Sequence, residues 1–443
     1  MPLHVPGSLD GLLSLLAPCF SQPAFQTFRS LVCGFVGRVG EHTVTGMWQA
    51  ARLAGRVHHS RAHDFFARRR WDPDELGLVL LDFLVTVLVK PDAPLYVAID
   101  DTLFGRAGRK VWGAHYLHDG SQPAGQGRRT RWGNCWVKVG LVVELPCLGG
   151  RSVCLPVLFR LFRPRDDAHP SRRSQPELAR EMTDLILARF PRRTVHLLFD
   201  GAYATKAWRE LPERATITTR MRATAALYAP APLPTGKRGR PALKGKRLPS
   251  LAKLAETLAF NAVKITAPDG RQRTAQVAEL HCLWYGPIHT RPVKLLLVRD
   301  GDRTEGYDIA IASTDTNATA AELIARYAAR WTIETSFQEA KANGVGQARN
   351  RVRRAVERTV PFGFLCQTLA IVWYQLYGDA DRDVRARRRI APWYPHKQTA
   401  SYNDMLAALR RELIRAEFHS QAPRRTHSPQ IAQLQSPPAL TAA

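Results

Sequence analysis

Two apolar runs in this chain close on aspartate: Ile99-Asp100-Asp101-Thr102 and Leu198-Phe199-Asp200-Gly201. An acid that follows a buried run sits beside the core, and parallel-sheet folds place ligands at such strand ends. Carboxylates that converge on one point can hold two Mg²⁺ about 3.5–4 Å apart, clamping the attacking and leaving oxygens of a phosphodiester. Mg²⁺ takes oxygen donors and retains waters, so three carboxylates suffice. The bland alternative for either aspartate is a turn or a helix cap.

A third element carries a sharper pattern. In the run from Tyr327 to Lys341, the residues Tyr327, Arg330, Glu334 and Lys341 stand at offsets 0, 3, 7 and 14. At about 100° per residue they point to roughly 0°, −60°, −20° and −40°, one narrow face of a helix. A phenol, a guanidinium, a carboxylate and an ammonium on one face are unusual for a helix that must pack. Ile333, Phe337 and Ala340 lie on another side and can bury. Spacing alone also fits a solvated stripe in which Arg330 and Glu334 form an i,i+4 pair.

These residues need elements to position them. Residues 1–90 read as all-helical, with apolar residues at helical spacing in Leu9–Phe20, Phe25–Val39, Val44–Leu53 and Leu76–Val89. From residue 91 the pattern becomes α/β. Leu95–Asp101, Trp136–Leu145 and Val153–Phe162 read as strands, Pro176–Phe190 as a helix, Val195–Asp200 as a strand, Lys206–Glu213 as a short helix and Ala215–Met221 as a strand. That order is the order of an RNase H-like mixed sheet with flanking helices, here over residues 91–221. Residues 222–315 read as a mainly β insertion that opens with a basic, Pro-rich loop. The core resumes over 316–378, with a long helix at Asn317–Lys341 and another within Val352–Tyr377. A basic helical region follows over 379–418, and residues 419–443, rich in Pro, Ser, Gln and Ala, read as disordered.

Composition narrows the partners. Lys and Arg total 64 against 38 Asp and Glu, a formal net charge of +26, which calls for a polyanion. Arg52, Arg56, Arg61, Arg68, Arg69 and Arg70 cluster in the helical region near Trp48 and Trp71; short helices with a basic face suit a helix-turn-helix-like DNA reader. No two of the seven cysteines stand at CxxC spacing, so neither a zinc ribbon nor a disulfide framework is indicated. His58, His59 and His63 lack a cysteine or carboxylate to complete a metal site. No signal peptide is evident, and the apolar stretch Leu369–Tyr377 is too short to cross a membrane.

The Tyr327–Arg330–Glu334–Lys341 spacing resembles the Y-R-E-K signature of a large group of DDE-type bacterial insertion-sequence transposases. Asp-Gly-Ala-Tyr at 200–203 resembles the segment around that group's second catalytic aspartate, and Ile99-Asp100-Asp101-Thr102 the segment around its first. The resemblance runs in order over roughly residues 95–375. It implies Asp101, Asp200 and Glu334 as the metal-binding triad. Asp101 is favoured over Asp100 because the family's first aspartate directly precedes threonine; Asp100 is the alternative first ligand. It further implies two Mg²⁺ (Mn²⁺ able to substitute), contact of Tyr327, Arg330 and Lys341 with the DNA backbone, and cleavage of element ends followed by their joining to target DNA. Double-stranded DNA, a homodimer in the synaptic complex and a cytoplasmic, nucleoid-associated setting go with that reading. A plain RNase H-like nuclease and a catalytically inactive DNA-binding relative are its rivals. The family's β insertion also supplies an aromatic that stacks on a flipped base, for which Trp284, Tyr285 and Tyr307 are candidates.

Arg238-Gly239-Arg240-Pro241 resembles the core of an AT-hook, an extended segment that lies in a narrow A·T minor groove. Lys244 and Lys246 would add phosphate contacts. Deleting residues 236–247 should therefore weaken DNA binding and flatten its salt dependence. Titrations at several salt concentrations check this, and an unchanged slope would sink the reading.

Overall fold

The computed structural model describes residues 4–118, 130–166, 168–232, 241–266, 272–299, 301 and 303–421. Five helices come first: α1 (Gly7–Ser14), α2 (Gln22–Gly37), α3 (Val44–Ala50), α4 (Ser60–Ala67) and α5 (Pro73–Leu88). The start of α5 is written locally. Asp72 accepts from the Asp74 and Glu75 amides at 2.7 and 3.4 Å, and Pro73 occupies the first turn.

The sheet follows. Its strands are β1 (Leu95–Gly105), β2 (His115–His118), β3 (Thr130–Leu145) and β4 (Arg151–Phe162), then after α6 (Gln175–Arg189) β5 (Val195–Phe199) and β6 (Ala215–Arg220). Only a single 3₁₀ turn, Lys206–Trp208, stands where a short helix is expected before β6; Pro212 stops any continuation. Strand β1 is central. It pairs antiparallel with β3 and parallel with β5, while β4 flanks β3 and β6 runs parallel to β5. This is the RNase H-like arrangement expected from the order of elements.

The insertion is part of the same sheet. After α7 (Leu251–Thr257) come β7 (Asn261–Thr266), β8 (Gln272–Leu283), the short α8 (Tyr285–Ile288), β9 (Pro292–Arg299) and β10 (Ile309–Ser313). Strand β10 pairs antiparallel with β6, and β9, β8 and β7 continue outward. The open edge of β6 offers unpaired backbone groups, and the insertion satisfies them.

Helices α9 (Ala320–Ala329) and α10 (Thr332–Ala342) replace the one long helix expected over Asn317–Lys341. They are joined by i→i+3 bonds, Arg330 N to Tyr327 O, Trp331 N to Ala328 O, Ile333 N to Arg330 O and Glu334 N to Trp331 O, a tight turn that breaks the 3.6-residue phase. Then come α11 (Arg353–Tyr377), α12 (Ala380–Ile390) and α13 (Tyr402–Gln421). Among the described residues α11 is the one helix long and apolar enough to cross a membrane; 89% of its most apolar window is buried in the protein, as befits a core helix.

The N-terminal helices pack on α11. Phe362 meets Phe28, Phe65 and Phe66 edge-on at centroid distances of 6.1, 6.3 and 5.3 Å. Buried Arg358 donates to the carbonyls of Phe66, Arg69 and Trp71. One apolar core thus runs through the helical layer and the sheet. Phe362→Ala should cost about 3–5 kcal/mol by leaving a cavity among these rings. Denaturant unfolding followed by tryptophan fluorescence and by far-ultraviolet dichroism should shift together; a shift confined to one signal would show that the helical layer folds apart from the sheet.

Candidate active site at two strand ends and a broken helix

Parallel strands β1 and β5 run in register from Leu95 beside Val195 to Ile99 beside Phe199. Continued by one residue, that register sets Asp100 beside Asp200, on the same face of the sheet. Asp200 follows the last residue of β5 and opens a turn closed by the Tyr203 amide on the Asp200 carbonyl, 2.9 Å. Gly201 is required there, because a Cβ would lie 2.6 Å from the Arg220 carbonyl oxygen of neighbouring β6.

Asp101 faces the other way, as alternation along a strand demands. Its carboxylate accepts from the buried Tyr203 hydroxyl at 2.8 Å and from the Cys135 thiol at 3.2 Å. Gln175, at the start of α6, in turn donates to the Cys135 sulfur at 3.5 Å. Burial, followed by the charge of Asp101, drives the Tyr203 hydroxyl well above its ordinary pKa, so it stays a donor. The acid implied by the family's Asp-Thr order is therefore engaged beneath α6, away from Glu334.

The other face holds α10. Arg330, only 4% exposed, places Nη1 3.3 Å from an Asp100 oxygen and 2.9 Å from a Glu334 oxygen. The turn that breaks the helix is what carries Arg330 inward. Its Nε is buried without a hydrogen-bond partner. Beneath this triad lies Lys138, fully buried on β3 and opposite Asp100 in register. Its Nζ donates to Ser336 Oγ at 3.0 Å and sits 4.0 Å from the centroid of Phe337, fastening α10 to the sheet.

The electrostatics follow from burial. Desolvation and then the Asp101 charge push the Asp100 carboxyl up to about 7; Arg330 opposes this, and Glu334 adds to it. Burial takes Lys138 down to about 8. Arg330 is likewise opposed by burial, but its interactions with Tyr327, Asp100 and Glu334 more than restore it, raising its pKa above the ordinary value. Tyr327 is buried, its hydroxyl raised mainly by burial, and Asp200 is among the charges acting on it. A chain of interactions thus links Asp200, Tyr327, Arg330, Asp100 and Glu334.

Among the described residues no three of His, Cys, Asp and Glu gather closely enough to form a metal cluster as they stand. The donor chemistry nevertheless fits a divalent ion. Two carboxylates share one cation, one of them is protonated near neutrality by its own burial, and the oxygens are hard donors. The His58 and His59 rings are tilted at 4.4 Å and His63 meets His59 edge-on at 5.8 Å.

The remaining candidates divide. Tyr327 and Arg330 are buried, and Lys341 is exposed with Nζ 5.5 Å from the Phe104 ring. Lys244 is half-buried between Tyr228 and Tyr285, its Nζ 3.9 and 4.6 Å from their centroids, and Lys246 is exposed. Arg238 and Arg240 lie outside the described residues. A cavity of about 400 Å³ opens beside Gly201, lined by Arg222, Tyr228, Trp284 and Tyr285 among others. Trp284, 7% exposed, is nevertheless part of the main core, and Tyr307 packs against that core. Sequence reasoning passed over Lys138, Cys135 and Tyr203 as site residues. The signal for Lys138 was a single cation inside the apolar run from Trp136 to Leu145.

A family model described as DDE superfamily endonuclease matches residues 15–282, more than half of the chain. The matched span contains Asp100, Asp101 and Asp200 and ends before α9 and α10. No curated protein matches the chain.

Metal-free stability should report the buried carboxyl. The Asp100 pKa is raised in the folded chain from an ordinary 3.8 to about 7, so the folded state holds a proton that the unfolded state releases. Its contribution is full below about 4 and is lost as pH rises through about 7. Asp100→Asn removes that loss. Its stability relative to wild type in EDTA should climb across this window and level off above it; a difference independent of pH would mean Asp100 is not held in this environment.

Proposed function

Because the chain belongs to the DDE superfamily of endonucleases, we propose that it is a transposase, which cleaves the ends of a mobile DNA element and joins them to target DNA. The observation that carries the reading is the Asp100–Arg330–Glu334 bridge on the sheet face where the strand register sets Asp200. We assign Asp100, Asp200 and Glu334 as the residues that would hold Mg²⁺, with Mn²⁺ able to substitute. Asp100 thus takes the place that the family's Asp-Thr order gives to Asp101. When bound, divalent metal supplies Lewis-acid stabilisation of charge on the phosphate and activates the attacking hydroxyl.

The chain's own residues do the positioning. Asp101, tied to Tyr203 and Cys135, fixes the end of β1 so that Asp100 presents its carboxylate on the α10 face. Arg330 holds Asp100 and Glu334 together against their mutual repulsion. Lys341, at the far end of α10, is placed to meet a backbone phosphate. Tyr285, at the cavity beside Gly201, would stack on an unpaired base. The reaction is an in-line displacement. A new P–O bond forms from water, or from a freed 3′-hydroxyl, while the P–O bond to the leaving strand breaks, and the nucleophile's proton passes to solvent. Synapsis of two ends would bring two copies together, in the nucleoid of a bacterial cell.

The test uses DNA carrying the sequences that flank the encoding gene, in Mg²⁺ and in EDTA. Wild type should cut and join in Mg²⁺ only. Asp100→Asn and Glu334→Gln should lose more than about 100-fold in cleavage while retaining DNA binding. Asp101→Asn, changing an outer partner, should lose about 10–100-fold or less. Hydrolysis without joining would favour the plain nuclease, and binding without cleavage in any metal the inactive relative. An active Asp100→Asn beside a dead Asp101→Asn would reverse the assignment.

A further inference from the structure

A second cleft lies at the other end of the Glu334 helix. It has a volume of about 880 Å³ and is walled by the α2–α3 connection, the segment just past α10, the end of α12 and the start of α13. Arg38, Arg387, Lys397 and Arg410 line it, and no Asp or Glu is among the described residues that do. Arg410 donates to the carbonyls of Val36 and Arg38, and Arg38 to that of Glu41; these neutral acceptors leave both charges uncancelled. Arg387 and Lys397 both reach the buried Asp404, at 2.8 and 3.0 Å, which leaves one positive charge over.

At the rim stand two rings that no apolar neighbour covers. Trp393 is 71% and Tyr394 56% exposed, with centroids 6.2 Å apart and planes tilted by 59°, so their faces are not closed on one another. They are held in place by successive turns, the Tyr394 amide on Ala391 O and the Lys397 amide on Tyr394 O, at 3.0 and 3.3 Å. Exposed rings among uncancelled cations match a strand with a charged backbone and free base faces; a paired duplex offers the charge without the faces.

We propose that this cleft is a second DNA station, which takes an unpaired strand by stacking on Trp393 and Tyr394 and by phosphate contact with the surrounding cations. The proposal rests on the reading of the Asp100–Glu334 site as a DNA-cutting centre. The eight helical steps from Glu334 to Ala342, which borders the cleft, span about 12 Å of helix. At about 3.4 Å per nucleotide, a strand engaged at Glu334 reaches the cleft within roughly four nucleotides.

The experiment measures binding of fluorescein-labelled oligothymidylate to the full-length chain in EDTA, by anisotropy, for wild type, the double variant Trp393→Ala/Tyr394→Ala and Trp393→Phe. The double variant should bind about tenfold or more weakly, Trp393→Phe close to wild type, and blunt duplex should be affected less than the single strand. A 2-aminopurine base in the oligonucleotide should be quenched by wild type and not by the double variant. Unchanged affinity in the double variant overturns the proposal, as does a changed sedimentation coefficient with unchanged affinity, which would make the rings an interface between copies. Duplex cleavage by wild type in Mg²⁺ alongside either result would mean that only the second station fails; no cutting and no binding of any DNA would bring down both readings.

Discussion

Carboxylates crowded at the end of a buried strand repel one another, and the low-dielectric interior magnifies the repulsion. Everything around Asp100 can be understood as a response to that constraint. A cation that reaches both Asp100 and Glu334 offsets the repulsion, and Arg330 does so from the turn between α9 and α10. An unbroken helix would keep the residues at 327, 330, 334 and 341 on one stripe. The 3₁₀ turn at Arg330 and Trp331 instead directs Arg330 inward and leaves Trp331 at the surface, 56% exposed. Removing one partner from such a buried set leaves an uncompensated charge, which is far more costly than losing the pair as a whole.

The same constraint explains why two adjacent acids behave so differently. Alternation along β1 gives each face one of them. On the α6 face Asp101 meets two donors, a phenol and a thiol. On the α10 face Asp100 meets a shared guanidinium and a second carboxylate, with Lys138 below. In the assignment proposed above, the Asp101 side holds a strand end still and the Asp100 side is the one that a further cation would relieve.

Much of this was legible in the sequence. The order of strands, the two Asp-ending runs and the spacing of Arg330 and Glu334 all followed from periodicity and residue type. The face of Asp100 against Asp101 did not, because β1 is buried on both sides and its apolar residues, Val97, Ala98 and Ile99, carry no parity signal. The break in the α9–α10 helix was hidden for a similar reason: Arg330 and Trp331 are both ordinary helix residues, and only the pull of Asp100 on Arg330 distinguishes the position. The insertion read correctly as β, but pairing of β10 with β6 is a long-range fact that no local pattern encodes.

The N-terminal helices share one packed core with the sheet. Their arginines suggest a DNA reader, and Arg52, Arg56, Arg68, Arg69 and Arg70 are exposed. Arg61 donates to Thr27 and Pro23, and Arg52 pairs with Glu417 at the surface. Phe28, Phe65 and Phe66 close on Phe362 of α11, and Phe364 two residues on lies 4.8 Å from Lys138 and packs on Phe337 of the Glu334 helix. The helical layer is therefore the backing of the site: it presses α11 onto the sheet, and α11 in turn holds α10 and Lys138 at the height where Glu334 meets Arg330. A loss of packing among those distant rings would be felt at Glu334 as a shift of the helix that carries it, because a close-packed core transmits displacement rather than absorbing it.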